Sequence, residues 1–157
     1  MEQHETFMRE AIRLSVENVG SGVGGPFGAV VVKDGQIIAR GQNRVTSTQD
    51  PTAHAEVVAI REACQTLGHF QLDGCDLYTS CEPCPMCLGA IYWARPDRVF
   101  YANTCADAAA IGFDDRFIYD EITLAHAERR IPMIPLLRDE AGEAFRRWHD
   151  DGDKTLY

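Results

Sequence analysis

Two segments that can bind a metal ion, far apart in the chain, constrain its fold more than any other feature. The first is His54-Ala55-Glu56 and the second is Pro83-Cys84-Pro85-Met86-Cys87. An imidazole and two thiolates are common zinc ligands, but these three can share one ion only if the fold brings both segments together. Structural zinc sites are usually closed by four protein ligands, so a set of three predicts a site with one open coordination position.

The spacing inside each segment predicts how its side chains are used. Cys84 and Cys87 are three residues apart at a predicted helix start, where both side chains can point to one spot and the positive helix end favours thiolates. Glu56 is predicted to carry protons between water and a substrate rather than to bind the metal. Residues two apart on a helix do not share a face. His54 and Glu56 can therefore reach the same water only if His54 precedes the helix or the site lies beyond its end.

Hydrophobic periodicity and turn residues predict a mixed sheet with helices on both faces. Asp34-Gly35 between two β-prone runs predicts a hairpin, Asp50-Pro51-Thr52 a helix N-cap, and Gly68 a helix end. A strand, a helix and a strand in succession predict a parallel pair with a right-handed crossover. In chain order, the predicted elements are a helix over 5–19, strands over 29–32 and 36–39, a helix over 53–67, a strand over 77–80, a helix over 84–93, strands over 98–102 and 133–137, and a helix over 139–150.

Two further features complete the fold prediction. Pro132 and Pro135 push the strand over 133–137 to a sheet edge, because proline cannot donate a hydrogen bond to a neighbouring strand. The glycine-rich segment 20–25 is expected to be a flexible connector, since it lacks the Gly-Lys-Ser/Thr ending of a phosphate-binding loop. The predicted fold class is therefore α/β, with one three-layer α/β/α domain over 1–157 built on a five-stranded mixed sheet.

Charge and cysteine content narrow the class of partner. The chain has 24 acidic and 15 basic residues and a net charge of −9, which disfavours nucleic acid and favours a small, uncharged substrate. The polar segment Met1 to Glu5 does not resemble a signal peptide, and no apolar run is long enough to span a bilayer. We therefore expect a reduced, cytoplasmic protein without a membrane partner, in which the Cys-x-x-Cys pair binds metal or is redox-active.

The other cysteines and histidines have no ligand spacing. Cys81 is interpreted either as a fourth ligand that closes the metal site or, preferably, as a small buried hydrophobe. The remaining cysteines are expected in the core or without a role, and the remaining histidines at the surface or in satisfied positions. These residues are Cys64, Cys75, Cys105, His4, His69, His126 and His149.

The order His-x-Glu followed by Pro-Cys-x-x-Cys is typical of zinc-dependent nucleobase deaminases. The chain resembles the cytidine-deaminase-like zinc hydrolases, and within them is similar to the bacterial guanine deaminases. The segments that carry this resemblance are Gly24–Val30, Asp50–Glu56, Tyr78–Cys87, Ile91–Pro96 and Gly112–Asp115, together with the terminal Tyr157.

This resemblance implies a reaction and a role for individual residues. It implies that guanine and water give xanthine and ammonia, by attack of an activated water on C2. It also implies a homodimer that can exchange C-terminal segments. It implies one Zn²⁺ per chain, bound by His54, Cys84 and Cys87, with Glu56 as the proton carrier. The implied substrate contacts are Phe27 on the ring face, Asn43, the Ala55 backbone N–H, Asp115 at the N1–H and amine edge, and Tyr157 over the pocket.

Other interpretations remain open. Phe27 can belong to the core alone, and Asp115 can be only the cap of a following helix. Tyr157, at the chain end, can be disordered. The same motif fits a tRNA adenosine deaminase or a deaminase of guanosine, ammeline (a triazine) or cytosine, and a zinc-stabilised binding module without catalytic activity is a further alternative.

Overall fold

The computed structural model describes residues 2–157, which form two compact units, one ending at Arg116 and one over Phe117–Tyr157. The expected single domain over 1–157 stays a prediction. The first unit contains α1 (Glu2–Asn18), β1 (Gly28–Lys33), β2 (Gln36–Gln42), α2 (Val45–Thr48), α3 (Ala55–Leu67), β3 (Cys75–Cys81), α4 (Pro85–Ala94), β4 (Arg98–Asn103) and α5 (Cys105–Ala110). Helix α6 (Arg116–Thr123) begins at the boundary, and a 3₁₀ turn (His126–Glu128) and α7 (Arg138–Asp150) follow in the second unit.

The first unit is built on a mixed sheet with the strand order β2-β1-β3-β4. Strand β1 pairs antiparallel with β2 and β3, whereas β3 and β4 are parallel. The predicted hairpin is confirmed: Asp34 and Gly35 join β1 to β2 with φ angles of 49° and 73°. Two positive φ angles suit the right-handed twist of the paired strands. The predicted parallel pair on either side of α4 is also confirmed.

Helices cover both faces of this sheet, because successive strand residues point to opposite sides. On one face, Val30 and Tyr78 pack with Phe7 and Leu14 of α1. On the other face, the partners come from α3 and α4. That second cluster consists of Ala29, Val31, Ala39, Ala55, Ala59, Ala63, Leu72, Cys75, Leu77, Ile91 and Ala94. The first unit is thus an α/β structure with three layers.

Helix α3 lies unusually close to β2, which places its first residues against the sheet. A Cβ built on Gly41 would lie 2.1 Å from the Ala55 carbonyl oxygen and 2.6 Å from the Ala59 amide nitrogen. Such distances are impossible for a real side chain, so only glycine permits this approach. The close packing determines where the His54-Ala55-Glu56 segment sits relative to the strands.

The prediction of a fifth strand over 133–137 is wrong. This segment contains no regular secondary structure, and the sheet of residues 2–157 has four strands. Pro132 and Pro135 remove two backbone donors, and the Ile134 and Leu136 side chains are each 82% exposed, so neither pairing nor burial holds the segment extended. The polar helix predicted over 139–150 is confirmed as α7.

The longest helix described in residues 2–157 is α1, with 17 residues. Its exposed face is charged, and Arg9 and Glu5 form an ion pair on it. No helix within those residues is both long and apolar enough to cross a membrane.

Candidate metal and substrate site

The three predicted ligands converge in the first unit. His54 Nδ1 lies 3.5 Å from Cys84 Sγ and 3.4 Å from Cys87 Sγ, and the three ligand atoms all lie within 4.8 Å of one another. A tetrahedral zinc with ordinary Zn–N and Zn–S bonds separates such atoms by about 3.6 Å. The spacing therefore fits one ion with a fourth position left open.

His54 precedes its helix, which resolves the spacing problem posed by the sequence. It is the N-cap of α3, with extended backbone angles (φ −69°, ψ 155°), and the helix begins at Ala55. The predicted cap at residues 50–52 is wrong by two positions, because Asp50 Oδ1 accepts a hydrogen bond from the Thr52 amide (2.8 Å) in a turn before the helix. The extended residue lets His54 and Glu56 face the same space.

The two cysteines occupy the start of α4 as predicted. Cys84 is the N-cap, Pro85 is the first helical residue, and Cys84 Sγ accepts a hydrogen bond from the Cys87 amide at 3.5 Å. Proline costs little here because the first helical N–H has no partner within the helix. The Sγ atoms therefore lie at the positive end of α4, where a thiolate is stabilised.

Electrostatic coupling between the ligands favours ionisation of one thiol. Hydrogen bonds from Cys87 and His54 lower the pKa of Cys84 to about 4. The same hydrogen bond with Cys84, together with burial, raises the pKa of Cys87. The hydrogen bond with Cys84 raises the pKa of His54. A divalent cation compensates the charge of two adjacent thiolates, so metal binding at this site is expected to release the remaining proton.

Glu56 lies beside the ligand group without belonging to it. The side chain is buried, at 6% exposure, and its Oε2 accepts a hydrogen bond from the Cys87 thiol at 3.5 Å. Burial raises the pKa of the Glu56 carboxyl, because a low-dielectric environment disfavours the charged form. A carboxyl with a raised pKa next to an open metal position has the properties of a general acid and base.

The orientation of the Asn43 amide follows from its backbone partners. Asn43 Oδ1 accepts hydrogen bonds from the amides of Gly25 and Val45, each at 3.1 Å. The oxygen is thereby occupied, and the side-chain NH₂ is the group left to meet a ligand. The Asn43 backbone N–H donates to the Phe27 carbonyl at 3.1 Å, so these two predicted contacts are neighbours.

Phe27 is partly buried against the core and also meets an aromatic ring that the sequence analysis did not select. Its ring contacts Phe113 edge-to-face, with centroids 5.0 Å apart and an interplanar angle of 88°. The interpretation that Phe27 belongs to the core is therefore correct in part, because the ring packs against the core cluster but is only partly buried. Phe113 lies in the Gly112–Asp115 segment, two residues before the predicted substrate contact Asp115. This closeness in sequence was the signal that could have identified Phe113.

Asp115 lies near the ligand group, and its neighbour makes the capping contact. Asp114 Oδ1 accepts a hydrogen bond from the Arg116 amide at 2.9 Å. Burial, followed by the negative charge of Cys84, raises the pKa of Asp115. Ala55, the first residue of α3, is fully buried, and its N–H has no acceptor within the helix. The contacts of both groups with a substrate stay predictions.

Cys81 is buried, as preferred, and the alternative that it closes the metal site is not supported. Cys81 Sγ donates to the Thr104 carbonyl at 3.7 Å, and the candidate ligand group found in residues 2–157 contains only His54, Cys84 and Cys87. Tyr157 belongs to the second unit, and its role stays a prediction. Among the other predictions, Cys75 is part of the core, and His4 Nδ1 lies 2.5 Å from the Tyr78 hydroxyl.

The sequence analysis missed two buried or half-buried polar residues around the site. Asn18 Nδ2 donates to the carbonyls of Gly25 (2.7 Å) and Asn43 (2.8 Å). Glu82 Oε2 accepts from the Cys105 amide at 3.0 Å, which links the segment before α4 to the start of α5. Asn18 follows Phe7, Ala11 and Leu14 on the buried side of α1. A polar residue that continues an apolar stripe was the signal that could have identified Asn18.

Comparison with known proteins agrees with this arrangement. Residues 1–103 match the sequence model of the cytidine and deoxycytidylate deaminase zinc-binding region. The chain is 60% identical to guanine deaminase of Bacillus subtilis over 154 residues, which cover 98% of this chain and 99% of that protein. An X-ray structure of guanine deaminase from Bacillus subtilis superposes with a TM-score of 0.95 at 60% identity and covers 98% of both chains.

A second group of relatives matches a shorter part of the chain. The tRNA-specific adenosine deaminase of Agrobacterium fabrum is 45% identical over 102 residues, which cover 65% of this chain and 66% of that protein. The family model includes His54, Glu56, Cys84 and Cys87 in its matched range. The match over residues 1–103 and the near full-length identity show that this chain belongs to the cytidine and deoxycytidylate deaminase zinc-binding family.

Proposed function

We propose that this protein catalyses the hydrolytic deamination of guanine to xanthine and ammonia. The observation that carries the proposal is the buried Glu56 carboxyl beside a three-ligand metal site. The 60% identity to a guanine deaminase over nearly the whole chain supports guanine as the substrate.

The proposed cofactor is one Zn²⁺ per chain, held by His54 Nδ1, Cys84 Sγ and Cys87 Sγ. The donor set supports zinc, because thiolate and imidazole ligands in tetrahedral spacing suit this ion better than magnesium or calcium. When bound, zinc supplies Lewis-acid activation of a water molecule. The chain itself then has to orient the base and move protons.

Glu56 is proposed to move two protons. Its carboxylate takes the first from the water that attacks C2 and delivers it to a ring nitrogen. It takes the second from the new hydroxyl group and delivers it to the amine, the C2–N bond breaks, and ammonia and xanthine are released. The raised pKa of Glu56 supports this role, since a proton carrier works best with a pKa close to the working pH.

The proposed substrate contacts surround this carboxylate. The Asn43 NH₂ donates to an acceptor on the purine, and the Ala55 N–H donates from the start of α3. Phe27 packs on the ring face, where its edge-to-face contact with Phe113 holds it. Asp115 accepts from the N1–H and amine edge of guanine, which distinguishes guanine from bases that lack these donors.

We also propose that the protein is a cytoplasmic homodimer in which the C-terminal segment, ending at Tyr157, is exchanged and closes the pocket. The second unit exposes large apolar side chains that self-association would cover. These are Ile131, Ile134, Leu136, Phe145 and Leu156, each more than 70% exposed. The mass of the protein in solution tests the dimer, and a monomer at micromolar concentration would contradict it.

The direct test is a substrate screen of the purified, zinc-loaded protein. We expect loss of guanine absorbance with one ammonia released per guanine. Guanosine, adenine, ammeline and cytosine are tested in parallel. Turnover of one of these in place of guanine would overturn the substrate assignment, and zinc binding without turnover of any base would favour a non-catalytic binding module.

Deamination of adenosine in tRNA is the second candidate, because 65% of the chain matches a tRNA-specific adenosine deaminase at 45% identity. The net charge of −9 argues against it, since a phosphate backbone requires a basic surface. Salt-sensitive binding of tRNA together with inosine formation would support this candidate. Absence of binding at low ionic strength would remove it.

A further inference from the structure

We propose that Asn18 is a positioning residue for the substrate-binding face: it aligns Asn43 and Phe27 for the base, and the inference rests on the proposed function. Asn18 lies at the C-terminal end of α1. It acts through two backbone carbonyls. The side chain is almost fully buried, at 1% exposure.

The Asn18 amide connects two segments that are distant in sequence. Its Nδ2 donates to the Gly25 carbonyl at 2.7 Å and to the Asn43 carbonyl at 2.8 Å. The Gly25 carbonyl also accepts from the Phe27 amide at 2.8 Å. One NH₂ group therefore fixes the position of the Asn43 backbone directly and that of the Phe27 backbone through Gly25. Both bonds require a side chain with two donors on one atom.

The same connection determines which way the Asn43 amide points. The Gly25 amide donates to Asn43 Oδ1 at 3.1 Å, while Asn18 binds the carbonyl of Gly25. If the backbone of Gly25 shifts, Asn43 Oδ1 loses one of its two backbone donors and the Asn43 NH₂ is no longer directed by the network. Substrate contacts need alignment of about 0.5 Å, which such supporting hydrogen bonds provide.

Gly24 is required for this close approach, so the segment 20–25 is not only a flexible connector. A Cβ on Gly24 would lie 2.2 Å from the Asn43 carbonyl oxygen and 2.4 Å from Asn43 Oδ1. A side chain at Gly24 would therefore displace Asn43 directly. This offers an independent perturbation of the same contact.

The test compares two matched truncations of amide side chains that tie α1 to the rest of the unit. Asn18→Ala removes the donor to Gly25 and Asn43, whereas Gln42→Ala removes a donor to the Leu14 carbonyl (2.9 Å) that lies outside this network. For Asn18→Ala we expect the KM for guanine to rise by about tenfold, the effect of one lost hydrogen bond, with a smaller change in kcat. Gln42→Ala should leave both parameters within about twofold.

Binding is measured separately from turnover, because KM equals the dissociation constant only when chemistry is slow. Equilibrium dialysis of radiolabelled guanine against zinc-loaded Glu56→Gln protein, with and without Asn18→Ala, gives the dissociation constant directly. Gly24→Ala should weaken binding in the same way. Asn18→Ala should lower the affinity less in an Asn43→Ala background than in the parent, because part of its effect acts through Asn43.

The outcomes separate this inference from the proposed function. Failure of the parent protein to bind or deaminate guanine would overturn the proposed function. A parent that binds guanine normally, with unchanged affinity in Asn18→Ala, would overturn the role of Asn18. Equal losses in Asn18→Ala and Gln42→Ala would also overturn it, since they would indicate a general effect of loosening α1. If Asn18→Ala does not fold, Asn18→Ser, a smaller polar side chain that can keep at most one of the two hydrogen bonds, decides the question by the same affinity measurement.

Discussion

The Cys87 thiol donates a hydrogen bond to Glu56 Oε2 across 3.5 Å, although 31 residues separate the two in the chain. One belongs to α4 and the other to α3, and both are buried. The contact places a carboxyl with a raised pKa directly beside a predicted metal ligand. Four testable consequences follow from this site and from the packing that supports it.

Replacing Glu56 by Gln is expected to lower kcat by at least about 10²-fold, because the amide cannot carry protons. Zinc content should remain at one ion per chain, since Glu56 lies outside the ligand group. Steady-state kinetics and elemental analysis of the same preparation measure both quantities. A variant that keeps its activity would show that Glu56 has a different role.

Replacing Cys87 by Ser is expected to lower zinc affinity by at least about tenfold, because a hydroxyl is a far weaker ligand than a thiolate. Cys64→Ser is the matched control, since Cys64 lies on α3 outside the ligand group. Competition with a chromophoric chelator measures the two affinities. Equal affinities for the two variants would argue against Cys87 as a ligand.

Gly41→Ala is expected to destabilise the first unit by about 1–3 kcal/mol and to reduce zinc affinity, because its methyl group would push α3 away from β2. Gly89→Ala on α4 has open space around the new methyl group and should stabilise by about 0.5–1 kcal/mol. Denaturant unfolding and zinc titration measure the two effects. Similar results for both variants would mean that close packing of α3 does not position His54.

Glu10 is expected to make stability depend on pH. Hydrogen bonds from Arg13 and Arg40 lower the pKa of its carboxyl from 4.5 to about 2. A lowered folded-state pKa means that the stabilisation is fully present above pH 4.5 and is lost as the pH falls through 2. Glu10→Gln should therefore destabilise at pH 7 by about 1 kcal/mol or less, because both arginines are half exposed and screened by solvent.

The difference between wild type and Glu10→Gln should shrink as the pH is lowered below 4.5. Chemical unfolding at several pH values measures it. Glu62→Gln serves as control, since Glu62 forms no ion pair within residues 2–157. A difference that grows toward acid pH would contradict the direction assigned to the pKa of Glu10.

Local signals predicted the longer helices and the strands of the first unit but missed the short helices α2 and α5, and they failed where tertiary contacts decide. The hairpin at Asp34-Gly35 and the end of α3 at Gly68 follow from backbone preferences that act within a few residues. The strand expected over 133–137 was wrong, because β-prone side chains form a strand only when a neighbouring strand accepts their hydrogen bonds. The N-cap of α3 was misplaced for a similar reason, since His54 takes that position without a side-chain capping bond.

The sequence alone determined the chemistry of the candidate site. His54, Glu56, Cys84 and Cys87 could be selected from residue type and spacing, because metal ligation and proton transfer require particular functional groups. Only the tertiary structure decided how these groups are held: the extended conformation of His54, the close approach at Gly41, and the two hydrogen bonds from Asn18. These depend on contacts between segments distant in the chain, and the spacing of residues in a sequence does not specify such contacts.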